Sequence, residues 1–169
     1  MPLTKSSLLN RLKRVLLLDQ SVYKEVRDDE KAIIYGISIV MISGVFSSIG
    51  KVLVYFLPGI SDIIIMPIFL VCLWVIVTYV THFFAKAFGG QTTFRKFLTA
   101  SGFSYTPIMF GIFPIIGEVI GTPWFLICSA LALRSAHELT WGKTILVYFL
   151  TLFTLFIIFV IYFLVIPIF

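Results

Sequence analysis

Charge is scarce in this sequence. Only 12% of its 169 residues are Asp, Glu, Lys or Arg, about half the ~25% of an average soluble domain. So few charges cannot cover a water-facing surface, and a water-soluble globular domain is excluded. Disorder is excluded for the opposite reason, since 18 Phe, 7 Tyr and 3 Trp are a surplus of the residues that disordered segments lack. Cysteine is reduced to Cys72 and Cys128, both inside apolar runs without metal or redox spacing. They read as small buried hydrophobes. Catalytic signatures are also absent. The chain has no Gly-rich phosphate loop, no His-Glu-x-x-His and no Gly-x-Ser-x-Gly, so neither an enzyme nor a cofactor is expected. No secretory signal reads at the start, because the apolar run Val15–Leu18 stops at Asp19. No internal repeat, low-complexity tract or inverted pair of broken helices is visible.

What is present is apolar sequence. Hydrophobic residues make up 60% of the chain, with a mean hydropathy of +1.08. A bilayer-spanning helix takes about 20 mostly apolar residues, which leaves room for five. The sequence predicts an all-α, polytopic membrane protein with spans near 32–49, 62–85, 94–116, 124–136 and 144–167. The fourth is short for a bilayer and needs help from its ends. Residues 50–61 read as an interfacial turn, with Tyr55 and Phe56 near the headgroups. Ahead of the spans, residues 1–31 form a separate charged segment. Within it, residues 3–18 read as an N-terminal amphipathic helix. Leu8, Leu9, Leu12, Val15 and Leu16 share its apolar face, and Arg11, Lys13 and Arg14 occupy the rest of its circumference. It could lie on an anionic leaflet or serve only as a cationic flank. Residues 19–31 mix both signs and read as a solvated connector. Residues 32–169 form the membrane domain.

The formal net charge is +5. In a membrane protein the placement of Lys and Arg sets orientation, and no nucleic acid partner is implied. If the five spans alternate, twelve of the thirteen basic residues fall on the side of the N-terminus and only Lys51 on the other. This predicts a cytoplasmic N-terminus and an outer C-terminus. Lys51, Asp62 and Glu118 gather toward the outer rim, and Lys86, Arg134 and Glu138 toward the inner. No ionisable group reads as central, which argues against a proton or ion relay. Arg134 and Glu138 are spaced i, i+4 and could pair. Trp141 and Tyr148 read as inner interfacial anchors and Trp124 as an outer one.

Two features stand out within the spans. Gly36, Ser43, Gly44, Ser47 and Ser48 give the first span a face of small residues. Such faces let helices approach closely where lipid supplies no hydrophobic drive for association, so this is the candidate helix-packing face. The third span carries Ser101, Ser104, Tyr105 and Thr106 within two turns of Pro107. Proline leaves the carbonyl four residues back without its usual donor. The cluster is either a polar notch for a lipid, solute or partner helix, or a kink whose hydroxyls bond their own backbone. His82 and His137, with Glu138, could in principle hold a metal, but they read better as interfacial polar residues, and no metal is expected.

Three stretches carry a family resemblance. They are residues 18–29 (LDQSVYKEVRDD), 88–107 (FGGQTTFRKFLTASGFSYTP) and 133–144 (LRSAHELTWGKT). In this order, and over about residues 16–167, the chain resembles the Yip family of Ypt/Rab-interacting membrane proteins, which carry a five-span Yip-one domain. The resemblance implies a multispanning membrane protein with a cytosolic N-terminus. Eukaryotic members are associated with Rab GTPases, vesicle traffic and membrane shape. The short segment before the first span is more similar to prokaryotic members, which implies a prokaryotic plasma membrane. It carries over no catalytic residues. The expected function is non-enzymatic: organising membrane or recruiting partners, in contact with the bilayer and with itself or other membrane proteins. The alternative is a channel or transporter for a small solute or ion, with the third-span notch as its pathway.

Overall fold

A computed structural model describes residues 7–55 and 60–165, and every regular element among them is helical. The elements are α1 (Leu8–Leu16), α2 (Gln20–Arg27), α3 (Ala32–Tyr55), α4 (Ile60–Ala87), α5 (Phe94–Phe103), a 3-10 helix (Thr106–Ile112), α6 (Ile116–His137) and α7 (Trp141–Val165). Four stretches are long and apolar enough to cross a membrane: Ala32–Leu53, Ile63–Ala87, Gly117–His137 and Trp141–Tyr162. The expectations for residues 1–6, Phe56, Pro58, Gly59 and the last four residues fall outside the described residues.

The expected third span is not one continuous helix. Helix α5 stops at Phe103, and the chain continues as a 3-10 helix with Pro107 in its first turn. Proline has no N–H to return to the Phe103 carbonyl, so the α-helical ladder fails there and the backbone tightens. The two pieces together run beside α3 in the same direction. Gly36 of α3 faces Thr99 and Gly102, Ser43 bonds the Tyr105 carbonyl, and Ser47 faces Gly111.

The expected short fourth span, 124–136, is also corrected. Helix α6 starts at Ile116 and absorbs Gly117, Gly121 and Pro123, which had read as a turn. Gly117 sits under the Phe110 carbonyl, and a Cβ on Gly121 would come within 2.8 Å of the Pro107 carbonyl oxygen. The small residues are there for close approach to the 3-10 helix and do not end α6.

The solvated connector is corrected as well. Residues 20–27 form α2, capped by the Asp19 carboxylate, which accepts from the Ser21 amide at 2.9 Å. Val22, Tyr23 and Val26 are fully buried against the bundle. They lie at i, i+1 and i+4, a one-sided stripe that the surrounding charges conceal. Each buried valine contributes roughly 1.5–3 kcal/mol. The N-terminal segment is therefore joined to the membrane domain. Within α1, Arg11 faces inward instead of sharing the polar arc. It is 2% exposed and bonds Glu25 and Asp29, each at 2.9 Å.

Most of the α4 and α7 surface faces outward and is apolar. Phe69, Ile76 and Phe83 on α4, and Phe149, Phe153 and Phe156 on α7, are exposed. Cys72 lies on this outward face, so of the two cysteines only Cys128 is buried. Tyr148, expected as an interfacial anchor, is partly buried and packs against the core.

Helix α3 is the hub. It packs on α4, on α5 and on the 3-10 helix. It meets α4 closely at Gly44, where an added Cβ would lie 2.7 Å from the Cα of Pro67. Neither backbone can yield without displacing its helix. Gly44→Leu should therefore destabilise the bundle by ~1–3 kcal/mol, as overpacking does. Thermal unfolding in detergent would measure this, with Ser38→Leu on the exposed face of α3 as the near-neutral control.

Candidate functional site

The five residues of the third-span cluster, Ser101, Ser104, Tyr105, Thr106 and Pro107, are all buried. The Thr106 hydroxyl donates to the Phe103 carbonyl at 2.7 Å, the acceptor that Pro107 leaves without its helical donor. Ser104 donates to the Ser101 carbonyl at 2.6 Å. Ser43 of α3 donates to the Tyr105 carbonyl at 3.0 Å. The Thr106 hydroxyl thus takes over the acceptor that Pro107 releases, as apolar surroundings require, while Ser104 and Ser43 add second donors to the Ser101 and Tyr105 carbonyls, which also accept from the Ser104 and Ile108 amides.

Ser101 has a different role. Its hydroxyl accepts from Trp74 Nε1 of α4 at 2.9 Å, lies 3.2 Å from the Thr78 hydroxyl, and donates to the Leu98 carbonyl at 3.0 Å. Trp74 is 1% exposed, so its indole N–H has no recourse to water. Trp74 and Thr78 did not stand out in the sequence, because their partner is 23–27 residues away on another helix. The Tyr105 ring packs on Phe125 of α6, with centroids 4.7 Å apart. Ser48 turns back onto the Gly44 carbonyl of its own helix.

A second polar assembly lies at the end of the bundle where α4 and α6 stop and α5 and α7 begin. His82 Nδ1 lies 3.2 Å from His137 Nε2. Phe97 packs against both rings. His137, the last residue of α6, is fully buried within the protein. Gly90 makes room for it, since a Cβ there would collide with the imidazole. Glu138 does not join them, and no group of three His, Cys, Asp or Glu among the described residues could hold a metal.

The expected Arg134–Glu138 pair does not form. Glu138 adopts a left-handed conformation that caps α6, and this carries its carboxylate to Arg27 at 3.1 Å. Arg27 also donates to the Ala136 carbonyl at 3.0 Å. Arg134 turns the other way. It donates to the Gln20 side-chain carbonyl and lies over the Trp141 ring, 4.8 Å from its centroid. Lys143 reaches the Phe88 carbonyl at 3.0 Å, and Lys96 pairs with Asp28 at 2.9 Å. Between α1 and α2, Arg14 joins Asp19 and Glu25. The N-terminal hairpin is thus fastened to this basic end by ion pairs that reach α5 and α6.

Two measurements check these assignments. Ser101→Ala would leave the Trp74 N–H unpaired and should cost ~1–3 kcal/mol. Trp74→Phe on the Ser101→Ala background should cost less than Trp74→Phe alone, in a double-mutant cycle read by unfolding. The hairpin should also be acid-sensitive. Hydrogen bonds from Ser21 and Arg14 hold Asp19 below the usual carboxylate range. Partial desolvation pushes Asp28 up, but bonds from Arg27 and Lys96 outweigh it and leave the group lowered. Groups lowered by folding stabilise above their unfolded value, about 3.9, and lose that contribution as pH falls through the folded value. Amide exchange in α2, corrected for its intrinsic pH dependence, should stay slow from neutrality to about pH 5 and accelerate below about pH 4. Protection that ignores pH would remove the ion pairs as the fastening.

No curated protein and no solved structure matches this chain. A family model described as Yip1 domain does match, over residues 17–164. That range takes in α2, the α5 break and the paired histidines, and it covers nearly all of the described bundle. With its apolar helices, the chain belongs to the Yip1-domain family and is a membrane protein.

Proposed function

We propose that this chain is a non-enzymatic, five-pass membrane protein whose basic end faces the cytoplasm and serves as a platform that recruits protein partners or organises the surrounding membrane. The observation that carries this reading is the docked N-terminal hairpin. Val15, Val22, Tyr23 and Val26 are fully buried, and Arg11, Arg14 and Arg27 tie the hairpin to itself and to α6. A rigid charged surface is thereby mounted on an otherwise apolar bundle. That is a suitable arrangement for binding other proteins.

Length supports the count of five. The ten residues of α5 and the seven of the 3-10 helix rise about 15 Å and about 14 Å. Together they approach the ~30 Å hydrocarbon core. The third pass would be made by this broken pair, which runs beside α3 from the level of Gly36 to that of Gly111. Within such a bundle, the column Gly36, Ser43, Gly44, Ser47 and Ser48 serves packing inside the protomer. The hydroxyl cluster 101–107 serves the integrity of the broken pass.

Charge supports the orientation. Lys24, Arg27, Lys86, Arg95, Lys96, Arg134 and Lys143 all belong to the hairpin or to the end where it docks, whereas Lys51 lies near the far end of α3. The positive-inside rule then puts the N-terminus in the cytoplasm and the C-terminus outside, in a plasma membrane if the cell is prokaryotic. A reporter fused after Phe169 should be active only outside the cytoplasm, and one inserted between Gly89 and Gln91 only inside. Extraction in native-lipid discs should yield the chain in complexes larger than a protomer. A cytoplasmic C-terminus would remove the five-pass reading, and a strictly solitary protomer would remove the platform.

A further inference from the structure

We infer that the cleft between α2 and the end of α6 is a binding site for a phosphate group, of the kind carried by an anionic phospholipid headgroup. The cleft encloses about 480 Å³ and is walled by Gln20, Ser21 and Lys24 on one side and by Arg134, Ser135 and Glu138 on the other. It is the size of an ordinary small-ligand site. It opens at the basic end, beside Trp141, which is 46% exposed and marks the level where an indole ring sits among headgroups.

Arg134 is the reason for choosing phosphate. Its guanidinium presents five donors in a fixed fork suited to two phosphate oxygens. One N–H is used on Gln20 and Nε is buried out of reach of the cleft, which leaves the other terminal N–H groups with no hydrogen-bond partner among the described residues. Stacking over Trp141 holds the plane of the fork in place. No described carboxylate pairs with Arg134, although it stands four residues from one. That carboxylate, Glu138, lines the far wall but is bound by Arg27 at 3.1 Å, which offsets its repulsion of an anion. Lys24 adds a second cation at the exposed rim. Two cations that flank a cleft, one with unspent donors, recognise a doubly accepting anion. They do not suit a neutral solute or a metal ion.

The site rests on the proposed orientation only in its choice of an anionic cytoplasmic leaflet as the source. A soluble phosphate offers the same chemistry, so the experiment separates the two. The full chain is placed in phosphatidylcholine nanodiscs that contain traces of spin-labelled phosphatidylglycerol or spin-labelled phosphatidylcholine. The wild type should immobilise the anionic label preferentially, by about five-fold for each cation engaged. Arg134→Gln and Lys24→Gln should each lose their share. In parallel, inorganic phosphate is added to label-free discs and the unfolding midpoint is read.

A lipid preference that needs Arg134 and Lys24 assigns the site to a headgroup. A phosphate-induced rise in midpoint that needs the same residues assigns it to a free phosphate. If neither response changes in the variants, the site is overturned. Should Arg134→Gln fail to fold, Lys24→Gln decides alone, because its exposed side chain contributes nothing to the core. Nanodiscs expose both faces, so the result does not depend on how the chain sits in a cell. A failed site and a reversed topology remain separate findings.

Discussion

Every backbone carbonyl in an apolar bundle needs a donor, and the point where this chain breaks that rule organises much of the rest. Pro107 takes the donor from Phe103, and the helix cannot continue. Thr106, Ser104 and Ser43 supply hydroxyls to the acceptors around the break. Because Ser43 belongs to α3, its hydroxyl ties the break to the neighbouring helix as a second donor on the Tyr105 carbonyl, beside the Ile108 amide. Helix α3 must then lie close enough to reach, and its small residues allow it to. The 3-10 helix in turn needs α6 to come close, which Gly117 and Gly121 permit. One missing N–H is thus linked to the spacing of three other elements.

The two ends of the bundle are held by different means. Within the apolar part, contacts are close backbone approaches and a few hydrogen bonds that cannot be exchanged with water, such as Trp74 to Ser101. At the basic end, long charged side chains bridge α1, α2, α5 and α6. The first kind tolerates no added volume, and the second weakens when carboxylates take up protons. The histidine pair stands between these regimes, with Phe97 against both rings and buried His137 admitted by the absence of a side chain at Gly90.

Some of this was legible residue by residue. The hydroxyls around Pro107 announced a damaged helix, because proline chemistry is local. What the hydroxyls bond was not legible, since Trp74 and Ser43 reach them across helix pairs. Glycine and proline at 117–123 were ambiguous. The same residues end a helix in solution and permit close approach in a bundle, and only the position of the 3-10 helix separates the two. The i, i+4 spacing of Arg134 and Glu138 suggested a pair, but the left-handed turn at Glu138 sends its carboxylate to α2. Residues 19–31 looked solvated because their charges outnumber the three residues that matter.

Composition and periodicity by themselves determined that this is an apolar helical protein with its basic residues gathered toward one end. These properties follow from the solvent each stretch can tolerate, and every stretch carries that information in its own side chains. The tertiary structure decided which helix is broken, which polar groups satisfy one another, and that the charged N-terminal segment is built into the bundle. It also decided that Arg134 faces a cleft with donors to spare. These outcomes depend on distances between residues far apart in the chain. In an interior that offers no water, a polar group's partner is set by which helix comes within about 3 Å.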